Sequence, residues 1–460
     1  MTPPLRAPPA PCGFLRGIAA GLFAGSILSS LAMAAERQLT NVPQGHVLTN
    51  TGVWSPDSRW IVYDTRSADH VFDGTRIERV DVETGRVEIL FSAADGASCG
   101  VATWHPTEPR VVFIHGPERP VPDWNYGPTR RRGAIVDARF PGVARPLDAM
   151  NYVPPFTPGA LRGGSHVHVF SPDGGAVSFT YEDEVLARLG TSGSHDINQR
   201  TLGVTLLGAG RNVTVARSHP RNHDGEGFTV VVVRTVNQPR PGSDEISRAF
   251  EECWVPRPGR PRTLAFLGNV TATDGREHAE VFLVELPVDF TVAGDAGSLE
   301  GTTTRRPAPP AGTVQRRLTF TSGRKFPGAV TVPRNWLRAS PDGSAIAFLM
   351  KDDAGEPQLW TVSPAGGEAR QVTRNPAGVS SAFSWSPEGR RIAHVMDGSV
   401  CVTDVATGAT KRLTPRVEGE TAPLALACVF SPDGRRIAYQ RKVRGARGVF
   451  AQIFIVDAES

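Results

Sequence analysis

The chain has 460 residues, 40% of them hydrophobic and 21% charged, which is a globular composition and excludes wholesale disorder. Its 48 glycines and 39 prolines are too many for a long helical bundle. The net charge of +4 becomes +2 when Arg6 and Arg16 leave with the leader read below, and the one tight basic run is Arg130-Arg131-Arg132, so no nucleic-acid partner is expected.

Residues 1–34 read as a secretion signal. Arg6 and Arg16 form a positive start without any acid, 17–31 is apolar, and Ala32-Met33-Ala34 fits a small-x-small cleavage site. The apolar run is short for a membrane span; an uncleaved anchor is the alternative. Cys12 precedes the apolar run, so no lipoprotein signal is expected. The expected location is periplasmic or secreted, with no membrane span after cleavage. Cys99, Cys253, Cys401 and Cys428 remain, too widely spaced for a CxxC motif. Disulfides in any of three pairings and four buried thiols are both open.

From residue 54 onward one unit recurs: an apolar strand, a Pro-Asp-Gly-type turn and a second apolar strand. It is read at 54–64, 104–114, 170–180, 218–233 (degenerate), 339–350, 385–395 and 430–440. Proline presets the first corner, the carboxylate bonds the backbone ahead, and glycine accepts positive φ. A large residue stands two before the proline at Trp54, Trp104, Phe170, Trp385 and Phe430. The prolines fall at 56, 106, 172, 220, 341, 387 and 432. A period of about 45 residues holds four short strands, which is one propeller blade. The expected fold is therefore an all-β propeller of about seven four-stranded blades, with six or eight as alternatives.

The last blade is one strand short. Arg37-Gln38-Leu39-Thr40 resembles the blade endings at 371–373 and 412–414, so strands from both termini are expected to close the ring. Residues 35–460 form one domain in this reading, with insertions at about 116–163 and 237–314. Within the second, Ser243-Asp244-Glu245 is expected to cap a short helix. The acidic cluster Asp244, Glu245, Glu251 and Glu252 fits a helix cap with a solvated face, or a glycosidase pair. Residues 290–314 read as a flexible surface loop.

The repeated unit resembles the propeller of TolB, the periplasmic Tol-system protein. It also resembles the propellers of prolyl oligopeptidases and oligogalacturonate lyases. Stretches such as LTNTGVWSPDSRW, LRGGSHVHVFSP and PGSDEISRAFEE liken the whole chain to bacterial TolB-like propellers of unassigned function. The one Gly-x-Ser-x-Gly match, Gly96 to Gly100, falls inside the propeller repeat, and the hydrolase domain that prolyl oligopeptidases add is not seen, so serine peptidase activity is not expected. The extra N-terminal domain of TolB has no room between Ala35 and Trp54.

The sharpest constellation is His166-Val167-His168. On a regular strand these imidazoles share one face about 7 Å apart and could share a metal. The stretch HVHVFSPDGGAVSFTYED resembles the metal-binding segment of oligogalacturonate lyases, which implies one divalent metal, manganese foremost. The family's glutamine ligand is replaced by Gly163, so a third ligand is sought among His46, His115, His219 and His223. His219, His223 and Arg162 are the candidates for catalytic residues; packing is the alternative for each. Arg131, Arg132, Trp124 and Arg334 are the candidates for binding an anion or a sugar, through guanidinium–carboxylate pairs and stacking. Arg130 and Tyr126 belong to the same insertion.

The leading expectation is a ligand-binding propeller, its small anionic or carbohydrate ligand seated at the channel mouth. The runner-up is a metal-dependent β-elimination lyase on uronate oligosaccharides, and the third is a scaffold for an envelope protein. A monomer is expected.

Overall fold

The Ser-Pro-Asp-Gly turns are built alike. The serine hydroxyl donates to the aspartate two residues on, at 2.5 Å in Ser55–Asp57, Ser171–Asp173 and Ser431–Asp433 and 2.6 Å in Ser340–Asp342. The same hydroxyl accepts the amide that starts the next strand, as in Trp60 to Ser55 at 2.9 Å and Ala176 to Ser171 at 3.0 Å. Gly174, Gly343, Gly389 and Gly434 take positive φ at the turn's end, where an L side chain is strained. Each motif thus holds the contacts that make its hairpin within about five residues of chain.

The computed structural model describes residues 36–459, and the leader read at 1–34 lies outside them. The hairpins grow into seven antiparallel sheets. Blade 1 holds Trp60–Asp64, Arg76–Asp81 and Val87–Ser92, its inner edge completed by bridges Val47–Asp64 and Trp54–Ile61. Blade 2 runs Cys99–Trp104, Arg110–His115, Arg132–Asp137 and Ala144–Pro146. Blade 3 runs Gly163–Phe170, Ala176–Asp183, Thr201–Leu206 and Phe228–Val231. Blade 4 runs Ala249–Trp254, Thr263–Thr271, Glu277–Glu285 and Val314–Arg317. Blades 5 and 6 start at Arg338–Ala339 and Ser384–Trp385. Blade 7 holds Pro423–Phe430, Arg436–Gly445 and Gly448–Asp457, and takes Glu36–Gln38 as its fourth strand. The register is Glu36 to Val456, Arg37 to Ile455 and Gln38 to Phe454, which closes the ring as expected.

Seven apolar clusters each join two neighbouring blades, including blade 7 to blade 1 through Trp54, Ile61, Ala427 and Ile453. Seven interfaces among seven blades make a closed β-propeller. The recurrent tryptophan also ties neighbours by hydrogen bonds. Its indole donates to a carbonyl of the preceding blade in Trp54 to Val429 (3.0 Å), Trp254 to Val169 (3.0 Å) and Trp385 to Arg338 (2.9 Å). An eighth cluster, Val101, Ile114, Val167 and Trp336 with Phe72 and Leu426, draws on blades 2 and 3 and on segments leading into blades 5 and 7. Residues from several blades thus pack on one another towards the middle of the ring.

Two sequence expectations are corrected. The fourth turn is not at 218–233: that segment begins within the 207–227 loop joining the third and fourth strands of blade 3. The turn of blade 4 is the Pro-rich run after Trp254, between Ala249–Trp254 and Thr263–Thr271, with Trp254 two before Pro256. Residues 243–245 form a turn, not a helix: Ser243 Oγ donates to the Arg240 carbonyl and Glu245 pairs with Arg240 at 3.0 Å. The α-helix among the described residues is Glu184–Leu189, capped by Asp183. The four cysteines are buried and unbridged.

Candidate functional site

The inner strands of blades 2, 3 and 4 each break register, between Gly100 and Thr103, His166 and Val169, and Phe250 and Cys253. Each bulge carries one non-glycine residue at positive φ: Val101 at 60°, Val167 at 57° and Glu251 at 54°. All three stand three residues before the recurrent aromatic. Such backbone is uncommon outside glycine and clusters at functional sites.

In blade 3 the bulge separates the two histidines. Ser165 and His168 are three apart, which on a regular strand sets them on opposite faces. Here the His168 Nε2 lies 2.9 Å from Ser165 Oγ, which itself donates to Asp148 Oδ2 at 2.9 Å. Asp148 also accepts from Thr205 Oγ1 (2.7 Å) and the Gly133 amide (3.2 Å). Burial drives the His168 pKa down to about 3, so the ring is neutral; its Nε2 joins this network between blades 2 and 3 while its Nδ1 has no partner within the protein. His166 takes the other side. It is buried, its Nδ1 has no partner within the protein, and burial followed by Arg131, Arg334 and Arg200 drives its pKa well below the usual 6.5.

These arginines belong to a cationic site at the loop end of the channel. A cavity of about 680 Å³ is lined by Arg200, Arg248, Arg334, Phe250, Glu251 and Asn269. Arg334 pairs with Glu251 at 2.9 Å and lies over Trp336 at 4.3 Å. Arg200 pairs with Glu182 at 2.7 Å. Arg248 lies over Phe250 at 4.9 Å and has no carboxylate partner among the described residues. Arg131 is buried, donates to Tyr126 at 3.2 Å, and its Nε has no partner. Burial pushes the Arg131 and Arg248 pKa values down, which marks both cations as incompletely compensated. Arg200, Arg248 and Arg334 line the cavity together with Glu251 and Glu277, so its guanidinium groups outnumber its carboxylates by one.

The remaining candidates lie elsewhere. Arg162 is buried, pairs with Asp183 at 2.7 Å and donates to the Thr302 and Arg305 carbonyls, so it pins the 290–314 insertion. Trp124 is a buried anchor. It packs on Tyr152 (4.9 Å) and His219 (5.4 Å), with Arg130, Arg188 and Arg221 about its ring. Tyr126 stacks on Phe72 at 4.2 Å. Arg132 pairs with Glu118 at 2.8 Å. His115 bonds the Gly116 carbonyl at 2.7 Å. His46 lies 3.2 Å from the Ala451 carbonyl, against Tyr63. His223 sits in the 207–227 loop, its backbone paired with Met150. Glu251 and Glu252, expected on a solvated face, are buried on an inner strand because the fourth turn lies further along the chain. Of the residues singled out in the sequence, Arg131, Arg334 and His166 are neighbours here. Sequence reading missed Arg200 and Arg248, which belong to no motif; a guanidinium one residue from a strand start is their only signal.

The residues do not fit a manganese held by His166 and His168. The bulge puts the two rings on opposite faces of the strand and His168 Nε2 is engaged with Ser165; His46 Nε2 and His223 Nε2 lack partners, but neither they nor His115 and His219 form a ligand group with His166. No group of three or more His, Cys, Asp or Glu placed to hold an ion is found among the described residues. No helix among them is long and apolar enough to cross a membrane.

A family profile described as "Protein of unknown function (DUF3748)" matches residues 98–223. The chain is similar to the "Uncharacterized protein YidR" of Escherichia coli K12, 47% identical over 409 residues, 88% of this chain and 94% of that one. Among solved structures, an oligogalacturonate lyase in complex with manganese superposes with a TM-score of 0.58 at 12% identity, over 93% of this chain and 94% of that one. The oligogalacturonate lyase of Vibrio parahaemolyticus gives 0.55 at 11%, with the same coverage of both chains. At such identities the likeness is one of fold.

Proposed function

The chain belongs to the family of YidR, and from that membership and the cationic mouth of its channel we propose a periplasmic or secreted β-propeller that binds a small anionic ligand, a carboxylate-bearing carbohydrate foremost. The observation that carries the reading is the excess of guanidinium in one cavity. Within that cavity Arg248 has no carboxylate partner among the described residues, while Arg200 and Arg334 are held in place by Glu182 and Glu251; Arg131 lies outside its lining. A guanidinium fork takes a carboxylate bidentately, and a partly dehydrated one gains more from doing so.

The test is isothermal titration with di- and trigalacturonate against the neutral galactose oligomers. Saturable binding of the acids, weakened by salt and lost in Arg248→Ala, is expected. Equal binding of neutral and acidic sugars, or an unaffected Arg248→Ala, would sink the reading.

His166 supports a second reading, β-elimination from uronate oligosaccharides. Its unpartnered Nδ1 lies among the arginines that would hold the substrate carboxylate. A neutral imidazole there takes the proton α to that carboxylate. The electron pair forms the new double bond as the bond to the β-oxygen breaks, and the imidazolium returns its proton to the leaving oxygen. An unsaturated product absorbing in the ultraviolet, absent in His166→Gln, is the expected outcome; binding without that product leaves a binder. The manganese-dependent form of this reading fails if the protein, incubated with Mn²⁺ and desalted, retains no metal.

A further inference from the structure

The arginine cavity sits where the core between blades 4 and 5 runs out. Phe250, Leu267, Ala279 and Val281, from three strands of blade 4, share one apolar cluster with Ile346 and Phe348 of blade 5. Side chains two apart on a strand share a face, so each row continues towards the loop end on the same side. The next residues are Arg248 before Phe250, Asn269 after Leu267 and Glu277 before Ala279, and all three line the cavity. Arg248 keeps that face, since it lies over the Phe250 ring at 4.9 Å. The apolar seam thus ends in a polar row, and Ala329, Thr331 and Arg334 close it from the side of blade 5.

The charges along this row are unevenly spent. Arg334 is paired with Glu251 and Arg200 with Glu182. Arg248 and Glu277 remain: both are exposed, and neither charged end has a hydrogen bond or an ion pair among the described residues. They are of opposite sign, yet they do not meet, because the middle strand carries Asn269 between them. The Asn269 amide donates to the Arg248 carbonyl at 3.0 Å, Asn269 stands opposite Ala279, and Glu277 is two residues beyond. Strand spacing and rise set the Arg248 and Glu277 backbones about 12 Å apart.

That separation selects the far end of a ligand. A carboxylate held at Arg248 leaves the rest of the molecule running past Asn269 towards Glu277. A second carboxylate arriving there is repelled and an ammonium group is attracted. Resting on the anionic-ligand reading above, we propose that the cavity selects a zwitterion, a uronate joined to an amino sugar. The uronate carboxylate lies against Arg248 and Arg334, hydroxyls between the two charges exchange hydrogen bonds with the Asn269 side chain, and the ammonium donates to Glu277.

Isothermal titration at about pH 6, where such an amine is charged, compares two disaccharides that differ at one group: uronate–glucosamine with a free amine and uronate–N-acetylglucosamine. The free amine should bind about fivefold more tightly. Glu277→Gln, an exposed and nearly isosteric change, should abolish that preference while keeping the binding of both, and should strengthen digalacturonate about twofold. Equal binding of the two disaccharides overturns the proposal but leaves the anionic site standing. A preference that survives in Glu277→Gln overturns it too, since the acetyl group is then excluded by its bulk. If neither disaccharide nor digalacturonate binds, the anionic site itself fails. Triglycine carries the same two charges on a peptide; its binding without a response to either disaccharide overturns the amino-sugar assignment.

Discussion

The two mouths of the channel are made in different ways. The turn end is lined by residues that the repeat supplies: Trp54, Trp104, Phe170, Trp254 and the prolines of their turns. The loop end is lined by Arg200, Arg248, Glu251 and Arg334, whose charges the repeat does not supply: Val101 and Val167 stand where blade 4 has Glu251. A repeat that must pack against its neighbour fixes the same aromatic in most blades. Between the blades, bulges and connections are free to differ, and the chemistry particular to this chain gathers there.

The largest expected effect breaks the comparison at the loop end. Arg248→Ala with Arg334→Ala should weaken acidic oligosaccharide binding by about a hundredfold or more, since a charge-assisted hydrogen bond contributes roughly 1.5–3 kcal/mol.

Next in size is the seam behind the loop end. Asp148 is fully buried and accepts from Ser165, Thr205 and Gly133. Asp148→Ala should cost about 3 kcal/mol in chemical denaturation, because three buried donors lose their acceptor. A cost below about 1 kcal/mol would mean that the network does not hold blades 2 and 3 together.

Acid should weaken the ring. Burial lowers the pKa of His46, His115 and His394 to about 4 and of His168 and His223 to about 3. The unfolded chain takes up these protons near pH 6.5 and the folded chain does not. Stability is therefore full above pH 6.5 and falls as the pH drops towards 4. Between pH 7 and pH 5 each histidine should contribute on the order of 1–2 kcal/mol of that loss. A His394→Gln variant, whose amide can still bond Thr403, should recover one such share; a denaturation midpoint indifferent to pH refutes it. Glu252 acts in the other sense. Its raised pKa costs stability as pH rises from about 4.5 to about 8, so Glu252→Leu should flatten that limb. The smallest effect belongs to one indole: Trp54→Phe removes the bond to Val429 and should cost about 1 kcal/mol.

The same contrast explains what was legible in the sequence. The blade count follows from turns whose serine, proline, aspartate and glycine act within five residues, and local physics writes itself plainly. The blade 4 turn escaped because Arg257, Pro258 and Gly259 replace the usual residues, although Trp254 before Pro256 was in the text. His166 and His168 were noticed, but alternation was assumed where Val167 turns back at positive φ, and that one dihedral decides which way each ring faces. Arg200 and Arg248 become neighbours only through the closed ring, so no window of sequence contains them both with Arg334.

Glu36–Gln38 pairs with Gly448–Asp457, so one blade is assembled from the two ends of the described chain. Its first strand leaves the ribosome more than 400 residues before its partner. Until then the first sheet, which packs on the last, presents Trp54 and Ile61 with nothing to cover them. Ring formation is therefore a late event of high sequence separation, slow by its topology. For that interval the nascent chain is an open row of blades with two sticky ends, and the cell must keep those ends from meeting another molecule before they meet each other.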